Sequence, residues 1–567
     1  MRTPIDQNPN PPILLRGLIA AGLLVKAAEL LVRCLENEGV EAIFGIPGEE
    51  NVDILAALPD TKIRFIPTRH EQGAAFIADV YGRLTGRAGV CLTTLGPGST
   101  NLVTGVADAN MDHAPLVAIS GQSATTRIHK ETHQHLDLVE LFRPISKYAV
   151  QVIEPETIPE VVHKAFKQAQ SEKPGVSFID LPENVAQMEV EGKVPLKVLN
   201  PPQPIASAAT IERAAKIIRE ARYPLIMAGN GVIRARAADV LRRFAERLNV
   251  PVANTFMAKG VVPFSHPLWL GAVGLQAHDY VSCGFDRADV IISVGYDMVE
   301  YHPNRWNPTR TKQIVHIDSE PAEVDEYYIP DVEAVGDIGA SLEAIGAHAR
   351  PSAHFPANLW QAIMNELSAH ADDRNFPLKP QRIVWDLQRV FASRSIVVCD
   401  VGAHKVWMAR MYQPEQPNTC IISNGFAAMG IGVPGAIAAK LAFPERTVAA
   451  VIGDAGFMIN SQEIETALRI GTPIVIVIWN DNGYGLIKWH QLRRFGRSDY
   501  VDFGNPDFVK YAESFGAKGY RVGTADEFMP ILRQAIADNT VVVIDCPVDY
   551  SENMKLTEQL GRMVCPA

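Results

Sequence analysis

The sequence has no surplus of positive charge and no apolar run of transmembrane length. Its 53 Lys and Arg residues are outnumbered by 64 Asp and Glu residues, which gives a formal net charge of −11. This balance argues against nucleic acid as a partner, because no basic surplus is present to neutralise phosphates. A membrane-spanning helix needs about 20 apolar residues, so we expect no membrane partner either. Small anions are not excluded, since a metal ion or a helix N-terminus can hold them locally.

Cysteine is sparse and shows no pairing pattern. The seven cysteines are scattered, odd in number and without a CxxC motif or a paired histidine. This usage favours buried thiols in a reducing cytoplasm and argues against a zinc site.

The first residues contain a short apolar stretch, residues 12–24, that is interrupted by Arg16 and runs into the amphipathic pattern of residues 26–39. Two interpretations stay open for it, a signal peptide and a loose tail that leads into the first helix. We expect the tail.

A chain of 567 residues is too long for one core and predicts two to four domains. Short β-branched runs alternate with longer amphipathic segments, which predicts an α/β fold with parallel sheets covered by helices on both faces. A polar stretch with several prolines, residues 190–207, is typical of a linker. We therefore expect three doubly wound domains flanked by two tails. The predicted segments are a tail at 1–24, domains at 25–190, 205–345 and 375–550, and a tail at 551–567.

Two carboxylates occupy equivalent places in the third predicted domain. Asp454 follows the apolar run 448–452, and Asp481 follows the run 474–479. The carboxyl ends of parallel strands share one edge, where ligands bind. Two oxygen ligands there suit Mg²⁺, and the small residues after Asp454 let backbone N–H groups approach a phosphate. The alternative is structural: Asp454 caps a helix, and residues 481–483 form a turn.

The segment from Gly453 to Gly485 resembles the diphosphate-binding motif of thiamine diphosphate enzymes. The resemblance implies that Mg²⁺ binds the side chains of Asp454 and Asp481 and the backbone carbonyl of Gly483. Many family members have Asn at the position of Asp481. The implied fold is the thiamine-binding one, with pyrimidine-binding, central and diphosphate-binding domains.

A second acid lies in the segment Thr68-Arg-His-Glu-Gln-Gly-Ala-Ala75, between a predicted strand at 63–66 and a predicted helix at 72–84. By itself Glu71 could be a carboxylate favoured by a helix N-terminus. The segment resembles the Arg-His-Glu-Gln segment of the same family, which implies that Glu71 activates the cofactor through its aminopyrimidine ring. In this family the two ends of the cofactor are held by domains of two subunits. A homodimer with the active site at the subunit interface is therefore the expected minimum, and a homotetramer is the expected assembly.

Other segments resemble further parts of the family's pocket. Ser423–Gly430 resembles the segment whose apolar side chain, here Met429, lies between the two rings of the cofactor. The resemblance therefore implies that Met429 is a catalytic residue. Thr132–Asp137 resembles the His-Gln pair of catabolic acetolactate synthases, which implies catalytic and substrate contacts by Gln134 and His133. The cofactor-binding residues implied by the resemblance are Gly45, Pro47, Gly48, Val401, Gly402, His404, Gly425, Met429, Gly453, Asp454, Ala455, Gly456, Asp481 and Tyr484.

The helix after the second carboxylate carries two further substrate candidates, Trp489 and His490. Trp489 resembles a tryptophan of the biosynthetic enzymes that is associated with a preference for 2-ketobutyrate as the acceptor. The alternative is that Trp489 only packs on a mobile loop. Residues 295–306 resemble the flavin-free catabolic form, so we expect no FAD.

The resemblance extends from about residue 25 to 555 and is to the acetolactate synthase family, nearest its catabolic type. It implies a cytoplasmic enzyme that decarboxylates pyruvate on thiamine diphosphate with Mg²⁺ and joins the product to a second 2-keto acid, giving 2-acetolactate and CO₂. The alternatives are a 2-keto acid decarboxylase that releases an aldehyde, and a non-catalytic regulatory subunit of the same fold. Intact Glu71, Asp454 and Asp481 argue against the last.

Overall fold

The computed structural model describes residues 24–199, 203–274, 279–350, 357–391, 393–558 and Cys565. The predicted N-terminal tail lies outside these residues, apart from Leu24. The chain divides into two compact units, one of residues 1–82 and 87–200 and one of residues 83–86 and 201–567. Within the described residues, no helix has both the length and the apolar character that a membrane crossing requires.

The first unit is built on a six-stranded parallel sheet. Its strands are β2 (Ala42–Gly45), β3 (Arg64–Pro67), β4 (Gly89–Thr93), β5 (Leu116–Gln122), β6 (Tyr148–Gln151) and β7 (Val176–Pro182), with β1 (Leu24–Lys26) and β8 (Glu189–Glu191) as a separate antiparallel pair. The strand order is β3-β2-β4-β5-β7-β6. The α-helices are Ala27–Asn37, Val52–Ala57, Glu71–Thr85, Pro97–Met111, Leu138–Phe142, Ile158–Gln170 and Glu183–Ala186.

The second unit contains two more parallel sheets of six strands. The strands of the central sheet are β9 (Pro224–Ala228), β10 (Val252–Asn254), β11 (Trp269–Ala272), β12 (Val290–Val294), β13 (Gln313–Asp318) and β14 (Val332–Val335), in the order β11-β10-β9-β12-β13-β14. Its α-helices are Ala208–Glu220, Asn230–Arg234, Ala238–Leu248, Tyr280–Arg287, Ile338–His348 and Ala357–Ser368.

The strands of the third sheet are β15 (Ile396–Cys399), β16 (Cys420–Ile422), β17 (Val448–Gly453), β18 (Val475–Asn480), β19 (Lys518–Arg521) and β20 (Val542–Pro547), in the order β16-β15-β17-β18-β20-β19. Its α-helices are Pro380–Phe391, Ala403–Met411, Gly432–Ala442, Asp454–Asn460, Glu463–Arg469, Gly485–Phe495, Phe508–Ser514, Phe528–Ala537 and Asn553–Glu558.

Each sheet has a reversal of strand order beside its first strand, so that a crevice opens there between two strands whose connections leave in opposite directions. The reversals lie between β2 and β4, between β9 and β12, and between β15 and β17. The predicted fold class, three α/β domains with parallel sheets, is confirmed.

Hydrophobic burial explains why the long strands were predictable from sequence. The first five residues of β17 and of β18 are all buried, as expected when helices cover both faces of a parallel sheet. Short strands without such a run, β10 and β16 among them, were not predicted. The segment between Asp454 and Asp481 forms two short helices, Asp454–Asn460 and Glu463–Arg469.

The cysteines follow the prediction in part. Five of them are free and buried, namely Cys34, Cys91, Cys399, Cys420 and Cys546. Cys283 and Cys565 form a disulfide across 282 residues of sequence. This pair was not predicted, because neither cysteine belongs to a spacing motif.

Candidate active site

A cavity of about 170 Å³ opens at the crevice of the third sheet, where β15 and β17 end. The segments that line it come from both sides of the reversal and from the loop after β18. The lining residues are Val401, Gly402, Ala403, His404, Ala427, Met429, Gly453, Asp454, Ala455, Gly456, Asp481, Gly483, Tyr484, Gly485, Leu486, Ile487 and Tyr550. Eleven of the residues predicted from sequence are among them.

The two carboxylates meet in this cavity, and the charge of Asp454 perturbs Asp481. Burial, together with the nearby charge of Asp454, raises the pKa of Asp481 to about 7. Burial also raises the pKa of Asp454, although hydrogen bonds from Asn505 and from backbone N–H groups lower it. A buried acid and a half-buried one that share a cavity repel each other when both are ionised. A divalent cation between them would offset this repulsion, so the donor set fits a cation.

Small residues bring backbone close to the cavity. A Cβ added to Gly456 would lie 2.8 Å from a carboxylate oxygen of Asp400, and one added to Gly402 would lie 2.9 Å from the ring of His404. His404 is 1 % exposed, and burial lowers its pKa to about 3. Its ring is therefore neutral, and its Nε2 has no hydrogen-bond partner among the described residues. That nitrogen is available to a bound group.

Asp400, which was not among the predicted site residues, holds the segment that forms the apolar wall of the cavity. Its fully buried carboxylate accepts hydrogen bonds from the backbone N–H groups of Val401 (2.7 Å), Gly430 (3.0 Å) and Gly432 (2.8 Å). These bonds fix the segment that carries Met429. An Asp at the end of an apolar strand is the same signal that identified Asp454, and it could have identified Asp400.

The first unit places Glu71 at the carboxyl edge of its own sheet. Glu71 begins the helix Glu71–Thr85 and is 8 % exposed. The side-chain amide of Asn101 donates a hydrogen bond of 2.9 Å to its Oε2. Asn101 therefore holds the orientation of the carboxylate. No sequence motif assigns Asn101 this role.

The start of the helix Pro97–Met111, with Gly96 just before it, links Glu71 with the predicted Gln134. A Cβ at Gly98 would lie 3.4 Å from Oε1 of Glu71, and a Cβ at Gly96 would lie 2.6 Å from the carbonyl oxygen of Gln134. Two candidate residues that are 63 positions apart in sequence thus share one edge of one sheet. Gln134 has a left-handed backbone, with φ of 57°, a conformation that costs a non-glycine residue energy and often occurs at functional sites.

A buried network holds the turn that carries Gln134. The Nε2 group of Gln122 donates to the carbonyl oxygen of Leu136 (3.1 Å) and to Oδ2 of Asp180 (3.4 Å). The Oε1 atom of Gln122 lies 3.2 Å from Nδ1 of His135. Gln122 is completely buried. No sequence motif marks it, because its partners come from distant segments.

Not every predicted site residue lies at these edges. Gly425, Trp489 and His490 do not line the cavity of the third sheet. Trp489 is 8 % exposed, and its ring stacks on that of His490 at 6.4 Å. In the first unit, the turn that carries Gln134 leaves His133 exposed, and Pro47 is exposed beside Gly48. Gly45 is in close contact, since its Cβ would lie 1.8 Å from the carbonyl oxygen of Leu92.

Comparison with known families gives three matches that together cover most of the chain. Residues 25–141 match the N-terminal TPP binding domain of thiamine pyrophosphate enzymes, residues 211–345 match their central domain, and residues 400–546 match their C-terminal TPP binding domain. The second and third of these segments contain the central and third sheets in large part.

Individual relatives are similar over nearly the whole chain. The chain is 37% identical to the acetolactate synthase of Bacillus subtilis over 553 residues, which covers 95% of this chain and 97% of that protein. It is also 37% identical to a catabolic acetolactate synthase of Raoultella terrigena, with coverage of 94% and 97%. A probable acetolactate synthase large subunit of Methanocaldococcus jannaschii is 37% identical, with coverage of 95% and 94%.

Proposed function

The chain belongs to the acetolactate synthase family of thiamine pyrophosphate enzymes, and from this premise we propose that it converts two molecules of pyruvate into 2-acetolactate and CO₂. The observation that carries the proposal is the meeting of Asp454, Asp481 and Gly483 at one cavity of the third sheet. We propose that this cavity holds the diphosphate end of the cofactor through Mg²⁺.

The described residues offer a donor set that suits this cation. They contain no group of three or more His, Cys, Asp or Glu side chains able to hold a metal by itself. A cation bound by two carboxylates would therefore complete its coordination with the Gly483 carbonyl, phosphate oxygens and water, which is how Mg²⁺ is commonly held. When bound, thiamine diphosphate supplies a nucleophilic carbon and an electron sink for the loss of CO₂.

The chain's own residues would position the reactants and control one proton. Glu71, oriented by Asn101, presents a carboxyl group for a hydrogen bond to the aminopyrimidine. Gln134 presents an amide that can donate to the carboxylate of a 2-keto acid. Met429, on the wall fixed by Asp400, provides an apolar surface beside the cofactor. Leu486 and Ile487 add apolar surface at the mouth of the same cavity. The assignment of acceptor preference to Trp489 stays a prediction.

We propose that the enzyme works without FAD. The crevice of the central sheet, where a dinucleotide would bind in such a fold, is occupied by the protein's own carboxyl group. Glu300 is 6 % exposed and accepts hydrogen bonds from the backbone N–H of Asn230 (3.0 Å) and from the Thr255 hydroxyl. Because the N–H of Asn230 at the start of its helix already donates to Glu300, it is not free to bind the phosphates of a dinucleotide. The visible absorption spectrum of the purified protein tests this proposal, since a bound flavin absorbs near 450 nm.

We propose a homodimer as the smallest active unit, with a homotetramer as the assembly. Support comes from an apolar patch beside the cavity, in which Phe426, Met458 and Ile459 are 44 %, 41 % and 40 % exposed. Patches of this kind commonly mark protein interfaces. A Met458→Glu variant should shift the sedimentation coefficient to that of a monomer and lose activity at the same time. A variant that stays assembled would count against the patch as the interface.

The decisive experiment supplies the purified protein with thiamine diphosphate, Mg²⁺ and pyruvate, and quantifies acetolactate, acetaldehyde and CO₂. We expect one acetolactate for each CO₂. Acetaldehyde as the main organic product would show a decarboxylase instead, and the absence of CO₂ would show a non-catalytic protein. Repeating the assay with 2-ketobutyrate as a competing acceptor measures acceptor preference.

A further inference from the structure

The loop that supplies the proposed cation ligands is paired with a second segment to which the family resemblance assigns no role. The backbone N–H of Tyr484 donates to the carbonyl oxygen of Val501 (2.8 Å), and the N–H of Phe503 donates to the carbonyl oxygen of Asn482 (3.0 Å). Gly483 and Asp502 thereby form an isolated antiparallel bridge. We call residues 501–505 the clamp segment.

The geometry of this bridge sets the direction of one carbonyl. The two hydrogen bonds flank Gly483 and Asp502, so these residues form a non-hydrogen-bonded pair of an antiparallel ladder. In such a pair, the N–H and C=O groups of each residue point away from the partner segment. The carbonyl of Gly483 therefore points away from the clamp segment, and Gly483 itself lines the cavity.

The clamp segment also reaches the carboxylate on the other side of the cation site. The side-chain amide nitrogen of Asn505 lies 2.7 Å from Oδ2 of Asp454, 3.1 Å from Oδ1 of Asn480 and 3.2 Å from Oδ1 of Asn482. One amide thus joins the end of β17 to the loop after β18. Asn482 has a left-handed backbone, with φ of 54°, so the loop needs external contacts to keep this conformation.

We propose that residues 501–505 position the cation site, with Asn505 as the positioning residue that fixes Asp454 relative to the carbonyl of Gly483. The proposal rests on the Mg²⁺ site of the proposed function, but not on the identity of the 2-keto acid. Groups that orient metal ligands commonly change metal affinity by roughly 10–100-fold when they are removed. The same magnitude is expected here.

The test measures the Mg²⁺ concentration that gives half-maximal thiamine diphosphate binding, read from the intrinsic tryptophan fluorescence of the full-length protein without any keto acid. Asn505→Ala should raise this concentration about tenfold or more. Asn505→Ser, which keeps one hydroxyl donor, should give a smaller rise. The matched control is Asn365→Ala, because the Asn365 amide bonds only to Gln361 on an exposed helix surface, and it should leave the value unchanged.

A second measurement separates positioning from general structural damage. Excess Mg²⁺ should restore thiamine diphosphate binding and turnover in Asn505→Ala, whereas a misfolded variant is not rescued by the cation. An unchanged Mg²⁺ requirement, or a loss that excess Mg²⁺ does not restore, would overturn the proposal. If Asn505→Ala does not fold, Asn505→Ser is judged by the same two criteria. Wild-type protein that binds thiamine diphosphate without Mg²⁺ would instead contradict the proposed cation site.

Discussion

At the scale of single residues, similar carboxyl groups differ in what surrounds them. Asp481 is partly buried beside another acid, whereas Glu71 is held by an amide that donates to it. Glu300 is buried with a hydroxyl and a backbone N–H as its partners. These surroundings suit three different tasks: cation binding, proton control and the filling of an interior crevice.

Glu71→Gln should abolish most of the proposed activity while leaving the fold intact. The amide cannot act as the acid that the cofactor requires, and general acid–base groups commonly contribute about 10²–10⁴-fold to rate. We expect turnover of pyruvate to fall by that order, with thiamine diphosphate affinity changed far less. Near-normal turnover would contradict the role assigned to Glu71.

Glu300 predicts a pH dependence of stability. Burial raises its pKa from 4.5 to about 7, with the charge of Asp297 adding to the rise and that of Arg234 opposing it. Because the folded-state pKa is the higher one, this group stabilises the fold most below about pH 4.5, and its contribution is lost as the pH rises towards 7. The loss amounts to about 3 kcal/mol.

Glu300→Gln removes this titration and keeps a side chain of the same size. Melting temperatures of the variant and the wild type, measured from pH 5 to 8, should therefore differ increasingly in favour of the variant as the pH rises. A constant difference across this range would show that Glu300 does not titrate as described.

At the scale of elements, the reactive residues occupy turns that distant segments hold in place. The turn with Gln134 is contacted by Gly96 from one loop and by Gln122 from the end of β5. Asp180, at β7, accepts a hydrogen bond from Gln122. The turn's conformation therefore depends on strand pairing in the sheet behind it.

Gln122→Leu should raise KM for pyruvate more than it lowers kcat. The variant removes the hydrogen bond to Leu136 and the contact with His135. Because one hydrogen bond contributes about 1 kcal/mol, KM should rise about fivefold. Amide hydrogen exchange of residues 133–136 should become faster in parallel. The control is Gln151→Leu, because Gln151 also donates to Asp180 (2.8 Å) but does not touch the turn. Equal effects of the two variants would rule out this function of Gln122.

At the scale of the whole molecule, buried ion pairs join the sheets of the second unit. Arg410, on a helix of the third sheet, is 6 % exposed and pairs with Asp279 at 2.7 Å and with Glu366. Asp279 caps the helix Tyr280–Arg287 and Glu366 lies in the helix Ala357–Ser368, both of which belong to the central sheet. The charge of Arg410 is thus satisfied only when the two sheets and their helices are docked.

Arg410→Met should destabilise this docking strongly, because it leaves two acids without their partner. Breaking a buried ion pair from one side commonly costs roughly 3–5 kcal/mol, which should appear in calorimetry as an earlier unfolding transition. Arg310→Met removes an exposed pair with Glu326 and should cost less than about 1 kcal/mol. Similar shifts for the two variants would show that the buried triad does not stabilise the second unit.

The sequence by itself determined the three α/β domains, because buried parallel strands require continuous apolar runs that are visible without a structure. It also showed which carboxylates end such runs, namely Asp454 and Asp481, while Glu71 was predicted from the resemblance of its segment to the thiamine diphosphate family. Only the tertiary structure identified Gln122 and Asn505, and only the tertiary structure showed the partners of Asn101 and Asp400. These residues act through partners from distant segments, and their positions relative to those partners depend on strand order and on the packing of loops. The Cys283–Cys565 disulfide joins residues that are 282 positions apart. It too depends on the tertiary structure, because cysteine spacing does not indicate which distant thiols come together.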